Sequence, residues 1–346
     1  MNILCVGGGS VGHTAPAVAV IRAIQKEDPK AEIHMICSPR EDEAAFLRVE
    51  KIPFTTLPIP RRNLFFPFQF LRSYREALSI LERTKPAVIF SKGGGLSLPA
   101  CFAAMRRRIP IVLHESDART GLASRLIAWK AVKVCTGFPG VKLRPDEVWT
   151  GNPVRPQITM GDRTQGLRRT GLSGARPILL ITGGSQGAQS FNEVVREHLA
   201  DLLLLCDVIH LTGRGKQTIS EKKSGYFAEE FALDDLPHLY ACATLALSRG
   251  GAGSISELAA NGIPTIVVPL EGVAQNHQVE NAKRAAAGGG ARLLLQAKLR
   301  SNLLSEVRSL LAHPEKLREM SVAMRSLSLP DAAEKIAHFV LRADRM

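Results

Sequence analysis

At 346 residues the chain is long for one ordinary domain and suits two of roughly 150–180 residues, each able to bury a core. Hydrophobic residues at 45% and charged residues at 22% exclude a disordered or fibrous polymer. The net charge of +13 is uneven: residues 1–158 carry 23 basic and 13 acidic side chains, residues 159–346 carry 22 and 19, so the first half is expected to meet an anionic partner.

In chain order, short β-branched runs predict strands at 2–6, 32–37, 87–90, 110–114, 177–182, 207–211, 244–248 and 264–269. Helical patterns fill the gaps, for example 15–27, 70–84, 188–204 and 254–261, with a last amphipathic stretch at 331–345. Strands alternating with helices imply an α/β protein built on parallel sheets. Residues 3–12 (ILCVGGGSVG) and 178–187 (ILLITGGSQG) form a weak repeat, each running from an apolar strand into a glycine-rich turn. The polar, glycine-bearing stretch 156–176 reads as a linker, and the boundary is expected near 157. No apolar run approaches the ~18–20 residues of a spanning helix. The start, MNILCVGGG, enters a strand directly, so a secretory signal is not expected. The six cysteines are scattered without a C-x-x-C pair and read as reduced core thiols.

Gly7-x-Gly9-x-x-Gly12 matches a dinucleotide fingerprint, a turn that offers backbone N–H groups and a helix start to a phosphate. Ser38 and Arg40 after the second strand would suit a 2′-phosphate, which keeps an NADP-dependent oxidoreductase open as an alternative. His13, next to the third glycine, is a candidate general base, because the helix dipole disfavours its protonated form. Gly183–Ala188 repeats the device in the second half. The stretch 249–282 is richer still: RGGAGSISE, then Gly262-Ile-Pro264, then Asn276-His-Gln278. Ser254 or Ser256 is placed to cap a helix, and Glu257 in its first turn to accept both hydroxyls of a ribose.

Together GGGSVGH (7–13), HES (114–116), GNPVR (151–155), GGSQGA (183–188) and RGGAGSISE…NHQVENA resemble the MurG family along essentially the whole chain. Those enzymes are UDP-N-acetylglucosamine:lipid I N-acetylglucosaminyltransferases. The resemblance implies a GT-B fold: two Rossmann-like domains, 1–157 and 158–330, facing across a cleft, with helix 331–346 crossing back to the first. It implies inverting transfer of N-acetylglucosamine to the muramyl 4-hydroxyl of lipid I, with donor contacts at Ser10, Val11, Gly12, Arg155, Ser185, Leu233, Ala252, Gly253, Ser254, Ile255, Ser256, Glu257 and Gln278. Val11 stands where the family usually has glycine, and Asp117 where it usually has asparagine. Asp117 is a second candidate base and a donor-side residue. A related lipid glycosyltransferase, such as a diacylglycerol galactosyltransferase, is the nearest alternative; a non-catalytic nucleotide-sugar or anionic-lipid binding protein is another.

No aspartates are spaced two apart, so a metal held by Asp-x-Asp is not expected, nor any cofactor or nucleic-acid partner. The leaving diphosphate would instead meet helix N-termini and Arg155 or Arg249. The segment 61–75 sets Phe65, Phe66, Phe68 and Phe70 among Arg61, Arg62, Arg72 and Arg75. Such a patch suits shallow insertion into an anionic bilayer, and so a peripheral protein on the cytoplasmic face of the cell membrane.

Overall fold

The computed structural model describes residues 1–60, 63–184, 187–216, 223–232, 234–272 and 276–345. Its contacts divide the chain into two units, Met1–Val154 with Leu329–Met346, and Arg155–Ser328. The division falls at Val154/Arg155, three residues before the expected 157.

The first unit alternates β1 (Asn2–Val6), α1 (Val11–Glu27), β2 (Glu32–Cys37), α2 (Glu41–Val49), β3 (Phe54–Thr56), α3 (Phe66–Thr84), β4 (Val88–Ser91), α4 (Gly94–Arg106), β5 (Ile111–Glu115), α5 (Leu122–Ala128), β6 (Lys133–Thr136) and β7 (Val148–Trp149). Its strands are parallel, in the order β3-β2-β1-β4-β5-β6-β7. Chain order reverses between β1 and β4, which leaves a crevice at their carboxyl ends, the usual ligand position in an open α/β sheet. The strands are apolar because helices cover both faces; Leu4, Val6, Ile89 and Leu113 lie in one core with Ala77, Ala100 and Ile127.

The second unit runs α6 (Arg163–Thr170), β8 (Ile178–Thr182), α7 (Gln189–Leu205), β9 (Asp207–Leu211), β10 (Tyr226–Glu229), α8 (Leu236–Cys242), β11 (Leu245–Ser248), α9 (Ala252–Ala260), β12 (Thr265–Val267), α10 (His277–Ala287), β13 (Ala291–Leu293), α11 (Gln296–Leu311) and α12 (Pro314–Ser326). Its parallel sheet, β10-β9-β8-β11-β12-β13, reverses between β8 and β11. The last helix, α13 (Ala332–Leu341), packs on α1, and Arg342 reaches Glu27 at 3.1 Å.

The expected linker at 156–176 is instead ordered. A 3-10 helix spans Pro156–Thr159, and Asp162 caps α6 by accepting from the N–H groups of Thr164 and Gln165. Its glycines allow close packing rather than flexibility: a Cβ on Gly161 would overlap Pro237 O, and one on Gly166 would overlap His238 O. Low apolar content misled the reading because this helix packs backbone to backbone against α8.

Candidate active site

Each unit carries two glycine-bearing loops at its switch point. In the first, Gly7–Gly9 follows β1 and Lys92–Gly95 follows β4; a Cβ on Gly7 would come within 2.9 Å of the Lys92 side chain. Sequence reasoning missed this second loop, whose signal was a lysine and three glycines closing a strand and opening a helix. Ser10 is the N-cap of α1 in extended conformation, Val11 begins the helix with its side chain in the core, and Gly12 and His13 are exposed in its first turn. The buried Val11 shows how the chain tolerates a side chain at that position.

Glu43, at the start of α2, is fully buried and grips this loop. Its Oε1 accepts from the Gly9 N–H at 2.7 Å and the Ser38 hydroxyl at 2.7 Å, and its Oε2 from the Ser38 N–H at 3.1 Å. The Thr14 hydroxyl lies 3.4 Å from Oε2. A carboxylate therefore occupies the N–H and hydroxyl groups that an NADP reading needs for phosphate. Ser38 is consumed, and Arg40 turns to Asp42. That leaves the oxidoreductase alternative the less supported reading.

At the carboxyl end of β5, beyond β4, the HES segment is wholly buried. His114 Nε2 lies 2.9 Å from Gly151 O, a pure acceptor, so Nε2 carries the proton and Nδ1 accepts. Lys92 Nζ supplies that donor at 2.7 Å and also donates to Ser116 Oγ at 2.7 Å. Burial, then the Lys92 charge, holds the His114 imidazole neutral, well below its usual pKa. Asn152 donates to Ser116 O at 3.1 Å and fills the space a Cβ on Gly137 would need. Gly151 and Asn152 of GNPVR thus lock HES in place. Asp117 follows, partly exposed, its N–H donating to Glu115 Oε1 at 3.1 Å. His13 and Asp117 leave the same sheet edge from β1 and β5, with β4 and Lys92 between them.

Burial lowers the Lys92 pKa from 10.5 to about 7 against the pull of Glu115 and Asp117. Burial and the Asp117 charge raise that of Glu115 from 4.5 to about 7. Between pH 4.5 and 7 the folded state holds a Glu115 proton that the unfolded state has lost, so stability falls as pH rises. Between pH 7 and 10.5 the unfolded state holds a Lys92 proton that the folded state has lost, so stability rises. The two limbs are on the order of 3 and 5 kcal/mol respectively. Denaturant unfolding across pH is expected to show a minimum near neutrality in this contribution, and Glu115→Gln to erase its acid-side limb; a variant profile parallel to wild type would contradict the assignment.

In the second unit the loops after β8 and β11 meet: a Cβ on Gly184 would lie 3.5 Å from Ser254 Oγ. Ser185 lies outside the described residues, as does Leu233. Gly251, not a serine, is the N-cap of α9. Ala252, Gly253, Ser254, Ile255, Ser256 and Glu257 are its first six residues, and the Ser256 hydroxyl bonds back to Ala252 O at 2.7 Å. The expected serine cap is therefore absent; a glycine leaves the helix start open to an incoming anion. Glu257 Oε2 accepts from the Tyr240 hydroxyl at 2.9 Å. Burial raises the pKa of Glu257, opposed by the Arg155 charge and by that hydrogen bond. Tyr240, missed in the sequence, sets the carboxylate's direction. Gln278, in the first turn of α10, accepts from the Leu270 N–H at 3.0 Å, and its backbone packs on Gly250. Arg249 is not available to a diphosphate as expected. Its guanidinium stacks on Phe191 at 4.4 Å and bonds to Ser190, Gln296 and Val268 O. Arg155 alone of the two remains beside Glu257.

The aromatic segment divides. Phe65 and Phe68 are 62% and 74% exposed, while Phe66 and Phe70 stack at 5.9 Å and Phe70 meets Phe102 edge-on at 5.8 Å. The four rings are therefore not one anchor; two project with Leu64 and Leu71, and two pack inward. Arg72 pairs with Glu76 at 3.0 Å, Arg75 is exposed, and Arg61 and Arg62 lie outside the described residues. No helix among the described residues is long and apolar enough to cross a membrane.

Two parallel-sheet units, each with glycine loops at its switch point, define the GT-B fold, and the chain's family matches make it a glycosyltransferase of that fold. The chain matches the glycosyltransferase family 28 N-terminal domain over residues 3–136 and its C-terminal domain over 178–336. It is 36% identical to a protein of Lachnoclostridium phytofermentans, covering 97% of each chain, and 35% identical to one of Nocardioides sp., covering 99% of this chain and 98% of the other. Both are named UDP-N-acetylglucosamine–N-acetylmuramyl-(pentapeptide) pyrophosphoryl-undecaprenol N-acetylglucosamine transferase. The chain belongs to this family, the MurG family. Its fold is that of the crystal structure of Acinetobacter baumannii MurG, with a TM-score of 0.76, 24% identity and 99% of each chain covered. Neisseria meningitidis UDP-GlcNAc 2-epimerase, bound to UDP-GlcNAc, shares the fold at 0.72 and 18% identity, covering 99% of this chain and all of the other.

Proposed function

We propose that the chain transfers N-acetylglucosamine from UDP-GlcNAc to the 4-hydroxyl of the N-acetylmuramyl group of lipid I, forming lipid II for peptidoglycan. Near-full-length kinship with transferases of that name carries the reading. The second unit takes the donor. Glu257 accepts the ribose hydroxyls, the open start of α9 and Arg155 meet the diphosphate, and Gln278 reads the sugar. The first unit takes the acceptor at its glycine loops. His13 removes the hydroxyl proton as the oxygen attacks C1; the bond from C1 to the diphosphate oxygen breaks, and UDP leaves with the electron pair. Attack opposite the leaving group inverts the anomeric centre. Ser10 and Gly12 contribute backbone at the start of α1, and Asp117 is the second candidate base, on the donor side. Incubation with UDP-GlcNAc and a lipid I analogue is expected to yield UDP and a β-linked disaccharide; an α-linked product would contradict single displacement.

Glu257→Ala is expected to weaken UDP binding by about 1–3 kcal/mol, the scale of hydrogen bonds to a charged group. Calorimetry showing wild-type affinity in a folded variant would remove Glu257 from the site.

The protein works at the cytoplasmic face of the membrane, held peripherally by the start of α3. Arginines there attract anionic head groups by about 1 kcal/mol each, screened within roughly 8–10 Å at physiological salt, whereas apolar insertion is not screened. Binding to anionic vesicles is expected to weaken with salt yet keep a resistant remainder. That remainder should vanish in Phe65→Ser/Phe68→Ser; sedimentation of this variant like wild type would place the anchor elsewhere.

A further inference from the structure

A cavity of about 640 Å³ opens in the first unit between the starts of α3 and α5 and the flank of α4. Phe66 and Phe70 of α3, Leu98 and Phe102 of α4, and Leu122 and Leu126 of α5 line it. Its size is that of a small-molecule pocket, within the usual range of about 300–1,000 Å³. Among the described residues no charged side chain lines it, and its described lining is overwhelmingly apolar. The one polar lining side chain, Asn63, already accepts from the Phe65 N–H at 3.1 Å. Water gains little here, and the exposed Phe102, Leu122 and Leu126 leave apolar surface that a hydrocarbon would cover.

Position identifies the hydrocarbon. One end of the cavity is Gly95, the last glycine of the Lys92–Gly95 loop at the sheet's switch point. Ile59 lies against this glycine and the first loop together, its Cγ2 3.6 Å from a Cβ placed on Gly95 and its Cδ1 4.0 Å from one on Gly9. The start of α3, whose Phe66 also lines the cavity, carries the projecting Leu64, Phe65 and Phe68. The cavity thus adjoins both the glycine loops assigned above to the acceptor and the helix start assigned above to the membrane. We infer that it binds the isoprenoid segment nearest the diphosphate of the lipid-linked acceptor. The inference rests on the acceptor reading above. Methyl-branched, flat alkene units present methyls and π-faces to the stacked and edge-on rings of Phe66, Phe70 and Phe102. The remainder of the chain would stay in the bilayer.

The test compares acceptors carrying a polyprenyl chain, a saturated alkyl chain of equal length, or a chain cut to a few carbons, all in detergent. Ala123→Phe narrows the cavity from α5, and Leu98→Phe narrows it from α4. Both are expected to raise KM for the polyprenyl acceptor by about tenfold or more, the scale of losing one or two buried apolar units. KM for the cut acceptor, UDP affinity and vesicle sedimentation should stay at wild-type values. An equal rise with polyprenyl and cut acceptors, or no rise with either variant, would overturn the inference, as would equal penalties on polyprenyl and saturated chains. Wild type turning over none of the acceptors would instead sink the acceptor reading itself.

Discussion

His13→Ala is expected to lower kcat by about 10²–10⁴ while leaving UDP affinity unchanged, the range for removing a general base. The imidazole is exposed in the first turn of α1. Its backbone is fixed by the N–H bond to Ser10 O at 3.0 Å, so the side chain's place follows from the Gly7–Gly9 turn. If His13→Ala keeps most of its turnover and Asp117→Ala does not, the two roles are reversed.

Glu43→Ala is expected to destabilise the protein by about 3–5 kcal/mol, the scale for breaking a buried charged network. Its neighbours on Gly9 and Ser38 are all donors, and deletion strands the buried Ser38 N–H and hydroxyl without an acceptor. Glu43→Gln should recover only part, because the amide nitrogen turns a donor toward donors. The loop carrying His13 loosens with it, so both variants should raise acceptor KM more than donor KM. Denaturant unfolding reads the first effect and steady-state kinetics the second. A Glu43→Gln protein as stable as wild type would remove the carboxylate from that role.

Much of the fold was legible because its main strands are buried on both faces and read as apolar runs. Asn2–Val6, Glu32–Cys37 and Asp207–Leu211 fall where the sequence puts them. Strands defined by pairing more than by composition were not legible. Phe54–Thr56 is three residues, Val148–Trp149 is two, and Lys133–Thr136 opens on a lysine. The glycine loops announced themselves, since few other residues adopt φ near +76° as Gly184 does. What supports the loops did not. Glu43 lies 34 residues from the N–H it holds, and Tyr240 lies 17 from Glu257, spacings that only the folded chain brings together. Arg249 was misread for the same reason: its neighbours in sequence suggested a ligand, and its contacts across the sheet are to Phe191 and Gln296. The α6 segment shows the converse, a polar stretch ordered by a cap and by glycine packing.

The central claim is that the donor is UDP-GlcNAc and the acceptor a lipid-linked muramyl sugar. Purified protein should be given UDP-GlcNAc and UDP-galactose in parallel, each with a lipid I analogue and with diacylglycerol, and kcat/KM measured for all four pairs. The account predicts efficient turnover only for UDP-GlcNAc with the lipid I analogue. Preference for UDP-galactose with diacylglycerol, or binding of UDP-GlcNAc without transfer to either acceptor, would contradict it.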